Sequence, residues 1–127
     1  MHYDPEISPN AAAWLELDEE ERIQSIEAWH RKARIDLPTV RAHAMFHSIV
    51  ENQLAEGLDP VVRAIARLVG QGLTRHEAVH AVASVVSGNF YEAMKTQKND
   101  TPEKARARYI ADVERLTAKR WLRKFGM

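Results

Sequence analysis

Two stretches of this chain carry histidines four residues apart, His43 with His47 and His76 with His80. Residues four apart share one side of a helix, so each pair presents two imidazoles together, a spacing that suits a single metal ion. Glu51 continues the first series one turn further, and Glu77 turns the second into His76-Glu77-Ala78-Val79-His80, a formal HExxH match. His30 stands on a third stretch. The chain has no cysteine, which removes both disulfide frameworks and thiolate zinc sites, so any ion here takes nitrogen and oxygen ligands. The candidate metal ligands are His30, His43, His47, Glu51, His76 and His80, and the cofactor they imply is a divalent ion, zinc or iron.

Direction matters as much as spacing. On a helical wheel His43 and His47 fall among Val40, Phe46, Val50 and Leu54, with Arg41, Ser48 and Asn52 opposite, so both imidazoles point inward. His76 and His80 flank an apolar stripe of Val79, Ala83, Val86 and Phe90, and His30 shares its face with Ile23 and Ile26. Each buried ring nitrogen needs a partner. A shared metal supplies one, and makes the chain a metal-binding helical bundle. The alternative is a metal-free interaction or regulatory module in which every histidine hydrogen-bonds within the core.

A second alternative is an HExxH-type metallohydrolase, in which two histidines hold zinc while the glutamate activates water. Two observations weigh against it: Glu77 stands three residues after Thr74, where it completes a capping box, and no strand is in view to align a peptide. His47 with Glu51, and His76 with His80, also resemble the HxxxE and HxxxH pieces of hemerythrin-type diiron bundles. Nothing after His80 supplies the remaining histidine and aspartate of that pattern, and the paired ExxH of ferritin-like sites is absent. Neither a reaction nor a substrate follows from these motifs.

The elements that must position these residues read as helices throughout. A chain of 127 residues, 45% hydrophobic and 28% charged, suits one folded domain, residues 1–127, with 1–10 as an N-terminal extension. Ser8-Pro9 opens a short helix over 11–15, and Asp18 with the three glutamates after it opens another over 19–34. Ile35-Asp36-Leu37-Pro38 breaks the pattern before a helix over 39–56 that stops at Gly57. Asp59-Pro60 caps a helix over 60–71, the Thr74 capping box opens one over 75–97, and Thr101-Pro102 opens the last, which runs to Phe125. No segment alternates as a strand does. The expectation is an all-α, single-domain bundle of five to six helices with short connections.

Short connections favour antiparallel neighbours, which predicts that 75–97 lies parallel to 39–56 with the two histidine pairs level. Eighteen basic residues balance eighteen acidic ones, so no overall field draws the protein toward nucleic acid or an anionic membrane. Lys119, Arg120, Arg123 and Lys124 around Trp121 complement the negative end of a helix dipole. No leader or membrane span is visible, so the expected location is the cytoplasm, and the partners left open are a second copy of the chain or another protein.

The chain resembles a family of small uncharacterised bacterial helical proteins. The resemblance lies in Trp14-Leu15-Glu16-Leu17-Asp18-Glu19, Ile35-Asp36-Leu37-Pro38, His47 with Val50-Glu51-Asn52-Gln53, Gly72-Leu73, and Arg75-His76-Glu77-Ala78-Val79-His80-Ala81-Val82. It implies a bacterial source, gives weight to the histidine segments, and names no substrate.

Overall fold

Where helices begin and end is settled by side chains that replace the missing backbone partners. Asp18 accepts the Glu21 backbone N–H at 2.8 Å while the Glu21 carboxylate accepts that of Asp18, a capping box that starts α2, Glu19–Lys32. The helix before it, α1 (Ala11–Glu16), is capped by Asn10 rather than by the expected Ser8. Its last carbonyls are taken by Arg22, whose guanidinium reaches the oxygens of Trp14 and Leu15. Helix α3 covers Val40–Ala55, and Gly57, at φ 73, supplies the left-handed turn into α4, Asp59–Gly70. Asp59 starts α4 without capping it and pairs instead with Arg63. Thr74 and Glu77 form the predicted capping box, opening α5 over Arg75–Lys95.

The computed structural model describes residues 2–33, 40–95 and 100–125, so the predicted break at 35–38 and the predicted end of α5 at 97 lie outside the described residues. All-α architecture is observed, with seven helices among the described residues where five to six were expected. The additional one arises because the last predicted helix is broken into α6 (Pro102–Arg115) and α7 (Ala118–Phe125). Leu116 is extended at the break, and Arg67 satisfies the carbonyls of Val113 and Leu116. On the far side the Thr117 hydroxyl accepts the Arg120 N–H and the Gln71 side chain accepts that of Ala118. The break near the end of the chain thus depends on α4 and the turn after it.

Helix α3 is central, packed against α2 on one side and α5 on the other, while α4 and α6 close over α5. Two apolar clusters result. The larger gathers Val50, Val61, Leu68, Val79, Val82 and Val113; the smaller joins Tyr3, Trp14, Ile23, Ile26 and Ala44. Phe90, expected on the inner stripe of α5, is half exposed, as is Met94 one turn further on. No described helix is long and apolar enough to cross a membrane.

Along the α3–α5 seam, Arg75 grips Glu51 with two hydrogen bonds, at 2.8 and 2.9 Å. The start of α5 therefore lies at the level of the second half of α3, and His80 reaches back to His43. Over this stretch α5 runs counter to α3, so the expected parallel alignment does not hold. Tyr3 donates to the same carboxylate, Pro5 accepts from Arg75, and the Glu6 carboxylate accepts the His76 backbone N–H. The N-terminal extension is thus fastened across the seam.

The Glu51 side chain is 1% exposed and that of Arg75 13%. Removing one member of such a pair leaves a buried charge, at a cost of about 3–5 kcal/mol, whereas replacing the whole group with apolar side chains is often neutral. Arg75→Met should lower the unfolding free energy in urea by roughly 3 kcal/mol, and Arg75→Met with Glu51→Met and Tyr3→Phe should recover most of it. A single-variant loss below about 1 kcal/mol would show the pair to be as weak as a surface one.

Candidate metal centre

Five of the six histidines meet in the seam between the two apolar clusters. His30 comes from the last turn of α2, His43 and His47 from the first half of α3, and His76 and His80 from the start of α5. Ring centroids are 4.1 Å apart for His43 and His47, 4.7 Å for His30 and His43, and 4.9 Å for His43 and His80. His76 stands 5.5 Å from His30 and 5.7 Å from His47. Trp29 packs edge-on against His30 and His76 at one side, and Trp121 against His80 at the other. The i, i+4 spacing on α3 and α5 does what the wheel required, and the antiparallel α2–α3 pair brings His30 to the same level.

The tightest set is His30, His43 and His47, each of which offers a ring nitrogen within 4.8 Å of the others. Imidazole nitrogens bound tetrahedrally to zinc at about 2.0–2.1 Å are roughly 3.4 Å apart, so gathering the three needs a closure of about 1.4 Å at most. The His30 tautomer is fixed by its surroundings. Its Nδ1 lies 2.8 Å from the carbonyl oxygen of Ile26, which can only accept, so Nδ1–H donates and Nε2 keeps its lone pair. That Nε2 is buried without a hydrogen-bond partner, and so are both ring nitrogens of His47. A hydrogen bond to backbone from the far nitrogen is the usual way a ligating imidazole is oriented.

Burial holds the cluster neutral, as ligation requires. It pushes His43 down to about 3, with the charges of His80, His30 and His76 adding to the effect. His47 is held well below the ordinary imidazole value by burial first and by its histidine neighbours second. His30, His76 and His80 are lowered for the same leading reason. For His30 the Ile26 carbonyl opposes the shift, and for His76 the carboxylates of Glu6 and Glu77 do.

Glu51 does not join the ring of histidines. Both of its oxygens are taken, by Arg75 and Tyr3. The i+4 extension from His47 placed it on the correct face of α3, and only the arrival of Arg75 through the tertiary fold diverts it. The HExxH residues are likewise rearranged: His76 and His80 stand beside the closest trio rather than forming it, and Glu77 is engaged by its cap. These last three residues, with Trp121, line a hollow of about 400 Å³ that leads from the surface to the cluster. Sequence reasoning missed Trp29 as a wall of the site, although its place beside His30 was visible, and missed Arg75 and the N-terminal strap, which no local spacing encodes.

The unfolded chain titrates its histidines at about 6.5, so between that value and the depressed folded values it binds more protons than the native state. Stability is then fully present above about pH 7 and is lost as the pH falls, with His43 still contributing down to about 3. Chelator-treated protein should show a urea unfolding free energy that declines from about pH 7.5 to about pH 5, with a shallower decline in His43→Phe. A flat profile would place the imidazoles in water. No protein-family model, curated protein or solved structure matches this chain, and the buried histidine cluster is the feature from which its function is to be argued.

Proposed function

We propose that the chain is a metal-binding helical bundle whose ion is held by His30, His43 and His47, with His76 and His80 beside it at the mouth of the hollow. The observation that carries this reading is the convergence of three neutral imidazoles, contributed by two helices, with His30 Nε2 and both nitrogens of His47 buried and unpartnered. A core histidine that needed only hydrogen bonding would have found a carbonyl or hydroxyl, as His30 Nδ1 did. Zinc and ferrous iron suit an all-imidazole set, and the lack of a carboxylate leaves the divalent charge undiminished. Three protein ligands leave a tetrahedral ion one further coordination position, which His76, His80 or a water entering through the hollow they line would fill, and such an ion would supply Lewis acidity there.

Untagged protein prepared without chelator should carry about one equivalent of zinc or iron by elemental analysis. His30→Ala with His47→Ala should lose it. Adding the ion to stripped protein should raise the melting temperature, since an ion at a hundredfold its dissociation constant stabilises by about 2.7 kcal/mol. Glu77→Gln should keep the ion, because glutamine still completes the capping box. No bound metal together with no thermal response to zinc or ferrous iron would overturn the proposal in favour of the metal-free module.

A further inference from the structure

The face of α5 that bears His80 continues beyond the metal centre. One and two turns on, Ser84 and Gly88 line a second cavity of about 440 Å³, between α5, α6 and α7, and Trp121 forms a wall of both this cavity and the hollow beside the histidines. A volume of that size accommodates a small organic molecule.

Gly88 is informative because it stands in the middle of a helix, where glycine costs about 1 kcal/mol relative to alanine. A Cβ added there meets no atom within 4 Å, so no close packing requires the missing side chain. What its absence does is keep the cavity open.

The polar lining shows which charge the cavity accepts. Its two acids already carry partners: Asp112 takes the Asn89 amide and the Arg115 guanidinium, and Glu92 is also engaged. Spare donors lie with the guanidinium groups. Arg108 gives its two outer nitrogens to Asp100 and keeps a buried Nε–H without a partner, while Arg120 donates to the Arg115 carbonyl and forms no ion pair among the described residues. Between these donors and Trp121 the lining is aliphatic, with Val85 and Leu116.

We propose that this cavity binds a small monocarboxylic acid with an apolar or aromatic body, its carboxylate toward Arg120 and its body along Leu116 and Trp121, the indole that also walls the hollow beside the histidines. The binding site does not depend on the metal reading. Charge-assisted bonds from guanidinium supply the selectivity, and the aliphatic wall supplies affinity without regard to the exact body.

The test is titration of 3-phenylpropionate into ¹⁵N-labelled protein, metal-loaded and stripped, following the Trp121 indole N–H, which Trp121→Phe assigns. The expected result is a saturable shift in both forms, with 3-phenylpropanamide bound at least about tenfold more weakly. Gly88→Leu, which fills the cavity and favours the helix, should abolish binding, and Arg120→Gln should weaken it about tenfold. Metal content should be unchanged in both variants. Equal binding of the amide, binding retained in Gly88→Leu, or no saturable shift up to about 10 mM would overturn the proposal. Acid binding by a protein that holds no metal would leave the cavity standing and remove only the metal reading.

Discussion

Burying imidazole is the constraint on which this structure turns. An unsatisfied buried ring nitrogen costs roughly 1–3 kcal/mol, and the core contains such atoms on His30 and His47, against a net stability of about 5–15 kcal/mol for a domain of ordinary size. The same burial that orphans the nitrogens keeps the rings neutral, each with one lone-pair nitrogen, so the cost to stability and the availability of that lone pair have one origin. Everything else in the seam can be read as support for that arrangement: apolar clusters on both sides, tryptophans at both ends, and a backbone carbonyl that fixes one tautomer.

Charged side chains close the helix ends that sequence signals leave open. Arg22 takes the last carbonyls of α1, and Arg67 those of α6. Neither helix ends in glycine, and both break into extended backbone, so a guanidinium reaching over from a neighbouring helix replaces the usual left-handed cap. This makes the corner between α6 and α7 a property of the tertiary fold. It also sets Trp121 on the hollow, since Trp121 lies one turn into the helix that the corner begins.

Much of this was legible in the residues. Caps at Asp18 and Thr74 and the turn at Gly57 are local, and they placed the helices to within a few positions. The inward aim of the histidines was equally local, because 3.6-residue periodicity decides it. What was not legible depended on distant partners. Glu51 reads as a ligand until Arg75 is seen to hold it. Thr117 reads as the interior of a helix until Gln71 and Arg67 are seen to stabilise a break there. The relative direction of α3 and α5 was inferred from connection length alone, and the Glu51–Arg75 pair overrides that rule.

The N-terminal strap has a kinetic consequence. Tyr3 to Glu51 spans 48 residues, and Pro5 to Arg75 and Glu6 to His76 each span 70. Helices form within microseconds from local contacts, whereas a contact across such a separation must await loop closure and the docking of the helices it joins. The strap is therefore among the last pieces to settle, and it settles on α5 directly beside His76. The five-histidine cluster therefore takes its final shape only once α5 and the strap have docked, whereas His30, His43 and His47, on the consecutive helices α2 and α3, can meet earlier.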